Sequence, residues 1–289
     1  MQDAIDMMPG VAIAWAAGMT ALYFCRSRLR SDALDDAPRR NAGLQPMDIF
    51  VGLLLMIGSA VVLLPLAYRA FGWPLPPEEL TPVQAGWMRL AGQLLTQGPV
   101  LAYLIFRVSS TQGGIRALGL LPRKPGKELA AGGLSLLAAM PIVMGVNAVF
   151  MLLATLMQAE KPDPIAHGML REMMEVLDPV AITLMVTSAL LVAPIMEEII
   201  FRGLVQTALQ EATHYRMRWV MIVVSGAIFC AIHAGIVQWQ ALPGLFALGI
   251  ILGWLYERHG SLLPGILLHM LFNLANIGLA IAIQKEAAG

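Results

Sequence analysis

Long apolar runs separated by short polar segments dominate the chain, and they predict membrane-spanning helices. A helix that crosses the ~30 Å hydrocarbon core needs about 20 mostly apolar residues, since each residue advances it by ~1.5 Å. Segments of this kind lie at 8–25, 47–69, 87–107, 129–157, 180–200, 219–237, 240–257 and 261–283. Only a short turn near Pro243 separates the sixth and seventh, so seven spans are the alternative to eight. The pattern predicts an all-α polytopic membrane protein with a single integral membrane domain over 1–289.

Composition supports the same class. The 289 residues are 58% hydrophobic and 13% charged, against roughly 45–50% and about 25% in soluble domains. Nineteen basic residues balance nineteen acidic ones, so no overall field predicts a nucleic-acid partner. The first ten residues are acidic, which favours a retained first span over a cleaved signal peptide. Cys25 and Cys230 lie in or beside apolar runs, where buried thiols are expected rather than a disulfide.

The basic residues predict an orientation. With the N-terminus outside, fourteen of them fall on the inner side, at 26–40, 107–127, 202–218 and Arg258. The five on the outer side are Arg69, Arg89, Lys161, Arg171 and Lys285. Cytoplasmic loops carry the excess of Lys and Arg, so eight spans predict both termini outside. If the spans enclose a polar cavity, we expect it to open toward the cytoplasm, although His233, late in an inside-to-outside span, does not fit that expectation.

Two outer segments have patterns of their own. Trp73 to Pro82, "WPLPPEELTP", is rich in proline and predicts a stiff connector. In the loop 159–178, apolar residues recur at helical spacing beside acidic ones, which predicts a helix lying in the membrane interface. The alternative role for that helix is a lid that controls substrate entry.

Few ionisable residues fall inside the spans, and the stretch "MEEIIFRG" holds three of them. A charge at the bilayer centre costs about 2.5–3.5 kcal/mol on insertion scales, so such residues usually face the bundle interior and have partners. Extension of the fifth helix to about residue 210 places them near mid-depth. Glu198 and Arg202 are four apart and share a face, whereas Glu197 projects about 100° away. The spacing predicts a Glu198–Arg202 pair, and a packing ion pair is the structural alternative.

Two later spans contribute more polar side chains. "FCAIH" places Phe229 and His233 four apart, and "HMLFN" does the same for His269 and Asn273. A single histidine in an apolar helix is usually a hydrogen-bonded packing residue. Polar groups on three spans must find partners in lipid, however, so we expect them to converge.

Together these groups supply the chemistry of amide hydrolysis by water. Carboxylates and imidazoles can activate and orient a water, and amide or imidazole N–H groups can stabilise an oxyanion. The chain contains no HExxH zinc motif and no GxSG serine motif. Histidine and carboxylate side chains are also zinc ligands, so the residues alone leave a metal site open.

The ordered set "EEIIFRG", "FCAIH" and "HMLFN" over 180–280 resembles the CPBP family, the CAAX proteases and bacteriocin-processing enzymes also called Abi, whose motifs are EExxxR, FxxxH and HxxxN. The resemblance implies an intramembrane glutamic endopeptidase with 180–280 as its catalytic core. It implies that Glu197 is the general base, with His233 assisting. His269 and Asn273 would stabilise the oxyanion, with Glu198, Arg202 and Phe229 as supporting residues, and the proposed chemistry needs no metal, so no cofactor is expected.

The expected partners are a membrane-associated or lipid-modified peptide and the bilayer itself. Short loops and a compact chain suggest a bacterial inner membrane protein. Two other functions stay open on the residues alone. The polar cluster suits a proton or ion relay in a transporter, although we find no internal repeat that favours one. A catalytically idle family member with an immunity or scaffolding role is the second.

Overall fold

The computed structural model describes residues 2–73, 80–157 and 168–288, and these residues form helices and connecting turns without a β-strand. The helices are α1 (Gln2–Cys25), α2 (Pro46–Ala70), α3 (Pro82–Ser109), α4 (Pro125–Leu156), α5 (Gly168–Glu175), α6 (Pro179–Ala212), α7 (Arg218–Ile232), α8 (Leu242–His259) and α9 (Leu263–Ala288). The prediction of an all-α membrane protein is confirmed. Extension of the fifth predicted span beyond residue 200 is also confirmed, because α6 continues to Ala212.

The predicted count of eight spans is not confirmed. Within the described ranges, six helices are long and apolar enough to cross a membrane. The third predicted span forms α3, which is 28 residues long but carries Arg89, Gln93, Gln97 and Arg107. The sixth forms α7, which has only 15 residues and therefore a length of about 22 Å. Helix α3 is too polar and α7 is too short to be counted among these six.

Helix α4 lies at the centre of the packing and contacts α1, α8 and α9. Its crossing with α1 depends on two glycines, because a Cβ on Gly145 would lie 2.8 Å from the carbonyl of Ala14 and one on Gly18 would lie 2.9 Å from that of Pro141. Small residues allow backbones to approach closely in membranes, where packing replaces the hydrophobic effect. A second apolar core joins α2 and α3 to α6. Helix α6 therefore lies between the two halves of the bundle.

Helix α6 is not a regular α-helix. It contains two π-helical segments, Ser188–Val192 and Ile199–Gln206, which flank the α-helical turn that carries the two glutamates. Such wide turns leave backbone carbonyls without their usual partners and are frequent at functional sites. Side chains satisfy two of these carbonyls in the second segment: Ser225 donates to that of Phe201 and Thr207 to that of Arg202.

A buried polar cluster closes the end of the bundle that carries the basic loops. The Glu257 carboxylate pairs with both Arg40 and Arg218, and all three side chains are nearly inaccessible to solvent. Burial raises the pKa of the Tyr215 hydroxyl, which therefore stays protonated and donates to the carbonyl of Arg40 at 2.9 Å. The cluster fixes the segment that follows α1 against α6, α7 and α8.

The segment 159–178 agrees with its predicted helix where it is described, whereas the cysteines, expected to be buried, are both partly exposed. The pattern in 159–178 predicts a helix, and Gly168–Glu175 is helical; residues 158–167 lie outside the described ranges, as do residues 74–79 of the proline-rich connector. Both cysteines are free thiols.

Candidate active site

The three motifs meet around the carboxylate of Glu197. The Nε2 atoms of His233 and His269 each lie 3.8 Å from the same oxygen, Oε2 of Glu197. Glu197 comes from the middle of α6, His233 follows the last residue of α7, and His269 lies in the second turn of α9. A separation of 3.8 Å exceeds a direct hydrogen bond but suits groups that share a water molecule. The predicted convergence of the three spans is therefore present.

The second ring nitrogen of each histidine fixes its tautomer. Nδ1 of His233 lies 2.7 Å from the carbonyl oxygen of Phe229, which can only accept, so Nδ1 carries the proton. Nδ1 of His269 lies 3.3 Å from Oε1 of Glu198 and donates to that carboxylate. In the neutral rings, both Nε2 atoms consequently face Glu197 as acceptors. Three acceptors then surround one position, which suits a molecule with two hydrogens to donate, such as water.

Glu198 and Arg202 form the predicted pair inside the protein. Both side chains are completely buried, and Nε of Arg202 lies 3.3 Å from Oε2 of Glu198. The contact is an ion pair rather than an aligned hydrogen bond, since neither atom meets hydrogen-bond geometry. Nη2 of Arg202 also donates to the carbonyl of Gly249 on α8, at 3.0 Å. Arg202 thus neutralises Glu198 and attaches α6 to α8.

Phe229 packs against Arg202 and against both histidines. Its ring is fully buried, with the guanidinium of Arg202 4.9 Å from the ring centroid on one side. The rings of His233 and His269 lie 4.7 and 6.0 Å away, centroid to centroid. A cation over an aromatic face is attractive, so the FxxxH motif places an apolar spacer that both holds Arg202 and orients the imidazoles.

Asn273 lies in the same cavity, and one of its N–H groups has a defined partner. Its Nδ2 donates to the carbonyl of Ala189 at 2.9 Å. Ala189 belongs to the first π-helical segment, in which the partner five residues along would be Pro194, and proline has no N–H. Asn273 therefore replaces a missing backbone donor with one hydrogen and retains the other for a ligand.

A cavity of about 630 Å³ surrounds this group, and Glu197, His233, His269 and Asn273 all line it. Most of the other lining residues come from the first half of α3, the second half of α4, the 236–241 segment and the later turns of α9, and the rest come from α6, α7 and the start of α8. The basic loops join the opposite ends of these helices. The cavity therefore lies in the half of the bundle away from the basic loops, whereas the sequence leads us to expect an opening on the side of those loops. Arg202, counted among the inner-loop charges, lies buried in the site instead.

Across the part of the chain that the structure describes, no three His, Cys, Asp or Glu side chains are grouped so that they could hold a metal ion.

Spacing alone misses several polar residues of the site. The contact between Glu198 and His269 joins two helices, and no motif spacing encodes it. Gln93 on α3 lines the cavity and accepts a hydrogen bond from Ser188. Arg89, Asn147 and Gln240 also line it, and each has a buried polar atom without a hydrogen-bond partner. The one available signal is the unusual density of Gln and Asn in otherwise apolar helices.

Fold and site define an integral membrane protein with a buried carboxylate–histidine centre. Residues 179–275 match the family model described as "Type II CAAX prenyl endopeptidase Rce1-like". The matched segment is about one third of the chain and contains all three motifs, so it is similar to that family in the same region that resembles the CPBP family by sequence. Searches among curated proteins and among solved structures found no match.

Proposed function

We propose that the protein is an intramembrane glutamic endopeptidase that hydrolyses a peptide bond of a membrane-associated or lipid-modified peptide. The observation that carries the proposal is the placement of two imidazole nitrogens at 3.8 Å from one oxygen of Glu197, inside a cavity large enough for an extended peptide. The family match supports the reaction class.

In the proposed reaction, a water lies between Glu197 and the histidines. It donates one hydrogen to the Glu197 carboxylate and the other to Nε2 of His233, which orients its lone pair. As the water oxygen bonds to the scissile carbonyl carbon, Glu197 takes a proton and the carbonyl π electrons move to oxygen. Glu197 then returns the proton to the amide nitrogen as the C–N bond breaks. General acid–base groups of this kind contribute about 10²–10⁴ in rate.

The developing oxyanion needs donors, and Asn273 and His269 are the proposed pair. Asn273 has one N–H free of its bond to Ala189. Because Nδ1 of His269 donates to Glu198, His269 can donate from Nε2 only as an imidazolium. Its two ring nitrogens face the carboxylates of Glu197 and Glu198, at 3.8 and 3.3 Å.

The charge distribution suggests where the substrate enters. We place the protein in a bacterial cytoplasmic membrane with its basic loops inside and both termini outside. The cavity lies at the end of the bundle away from those loops. The scissile bond then reaches Glu197 from the outer face. Acyl or prenyl chains of a lipid-modified peptide would stay in the bilayer beside the cavity.

Comparative peptide profiling tests the proposal. Membranes that contain the wild-type protein, Glu197→Gln or the control Asp35→Asn are incubated, and the released peptides are identified by mass spectrometry. Asp35 lies exposed on the opposite, basic face. We expect peptides that appear with wild type and Asp35→Asn and are absent with Glu197→Gln, and their termini give the cut site. Identical peptide sets from all three membranes contradict the proposed function.

A further inference from the structure

Arg89 is the only lysine or arginine that lines the catalytic cavity among the residues that the structure describes. It lies in the second turn of α3. Its Nη2 donates to the carboxylate of Glu172 on α5, at 2.6 Å. Its Nη1 is buried and has no hydrogen-bond partner. A buried N–H donor without an acceptor is poorly satisfied even on a side chain that is partly exposed, and a ligand that accepts from Nη1 would relieve that deficit.

Glu172 belongs to a short helix that is attached at few points. Met173 packs in a small apolar cluster with Met185, Ala189 and Ile277, and the carbonyl of Met174 accepts a bond from Gln284. The Glu172 side chain is 42% exposed, against 28% for Arg89. An ion pair this exposed contributes little net stability, so a competing carboxylate can replace Glu172 with little loss.

We propose that Arg89 binds a carboxylate of the peptide substrate, and that Glu172 occupies this position in the free protein. The proposal rests on the proposed function, since it assigns a specificity residue to the same cavity. Arginine recognises carboxylates by two parallel N–H···O bonds, whereas Glu172 engages Nη2 alone. A substrate carboxylate that engages both Nη atoms would satisfy the free donor and release α5. The carboxylate is either the C-terminal group of the peptide or an acidic side chain near the cut.

Binding to an inactive protein tests the proposal without catalysis. The full chain with Glu197→Gln is titrated with a fluorescent form of a peptide whose release depends on Glu197. Three versions are compared: the native peptide, its C-terminal amide, and a version with Asn or Gln at its acidic positions. We expect one neutralised version to bind about tenfold more weakly, which is the loss of a charge-assisted bond. The version that loses affinity identifies the source of the carboxylate.

Two variants separate recognition from simple attachment of α5. Arg89→Gln should remove the difference between the native and neutralised peptides. Glu172→Gln should tighten binding of the native peptide several-fold, because the internal competitor is gone. If the ion pair merely holds α5 in place, both variants break it and change affinity in the same direction. Opposite signs support the proposal, and equal signs overturn it.

Arg69→Gln is the matched control, because Arg69 is an exposed arginine on the same side that does not line the cavity. Its affinities should equal those of the parent protein. If the protein releases peptides but binds the native and neutralised versions equally, only the proposed role of Arg89 is contradicted. A protein that releases no peptide contradicts the proposed function itself.

Discussion

Glu198 has two partners of different kinds, and the two contacts have different roles. It is the counterion of Arg202, and it accepts the Nδ1 proton of His269 at 3.3 Å. The first contact concerns stability, because a buried charge without a partner is costly. The second concerns reactivity, because it determines which nitrogen of His269 faces Glu197. Substitutions can separate the two roles.

Glu198→Gln should both destabilise and inactivate the protein. It leaves Arg202 charged in a fully buried position, which costs about 3–5 kcal/mol when one partner of a buried pair is removed. The double variant Glu198→Gln, Arg202→Met removes both charges and should recover most of the unfolding free energy. Its activity should stay about 10²-fold low, since His269 has lost its carboxylate. Thermal unfolding in detergent and peptide cleavage measure the two effects, and recovery of both together would refute a separate role for Glu198.

Asn273 and Asn276 give a matched comparison on one helix. Both line the cavity, and each donates Nδ2 to a backbone carbonyl, that of Ala189 and that of Phe272 respectively. Only Asn273 belongs to the proposed oxyanion site. Asn273→Ala should lower kcat about 10²–10³-fold, the usual effect of losing one such donor, whereas Asn276→Ala should change kcat little. Equal losses in both variants would show that Asn273 acts only through packing.

At the scale of elements, the polar cluster at the basic end holds the segment after α1 against three helices. Glu257→Gln leaves Arg40 and Arg218 buried without a carboxylate and should lower the unfolding free energy by about 3–5 kcal/mol, or about 10 °C in Tm. Arg258→Gln, one residue along, breaks only the exposed pair with Asp36 and should shift Tm by at most about 2–4 °C. Thermal unfolding in detergent checks both. Cleavage per folded molecule should be normal in each, because the cluster lies outside the catalytic cavity.

The sequence predicts those features of the helices that depend on one helix at a time, and it does not predict the contacts between helices. Apolar length predicts most of the helices, and i,i+4 spacing predicts the Glu198–Arg202 pair, because both depend on one helix at a time. Spacing cannot predict the contact of His269 with Glu198, which requires α9 to pass close to α6. Gly265 permits that approach, since a Cβ there would lie 3.0 Å from Oε2 of Glu198. Spacing does not predict the π-helical segments either. Pro194 alone indicates that a carbonyl of α6 lacks its N–H donor.

Two of the predicted spans, α3 and α7, are not among the helices long and apolar enough to cross a membrane, and each has a physical reason. Helix α3 faces the cavity with Arg89 and Gln93, so its polarity reflects the site that it lines. Helix α7 ends at Ile232 because the chain must turn to place His233 beside Glu197. The residues that build the site therefore lower the hydropathy of α3 and shorten α7, and these are the two properties by which a membrane span is recognised.

At the scale of the whole molecule, the basic loops and the catalytic cavity lie at opposite ends. In a background with Cys25→Ala and Cys230→Ala, single cysteines at Gly235 and Asp35 report on the two ends, since both positions are exposed. A membrane-impermeant maleimide added to intact cells should label the cysteine at 235 and not the one at 35, because basic loops stay in the cytoplasm. The reverse labelling pattern would mean that the cavity faces the cytoplasm.

The central claim is that Glu197 activates water for peptide hydrolysis. Its most direct test is the rate of cleavage of a membrane-anchored peptide by the purified protein in liposomes, compared among wild type, Glu197→Gln and Asp35→Asn. We expect wild type and Asp35→Asn to cleave at the same rate, and Glu197→Gln to be slower by about 10²–10⁴-fold. Cleavage by Glu197→Gln at the wild-type rate, or no cleavage by any of the three, would contradict the assignment.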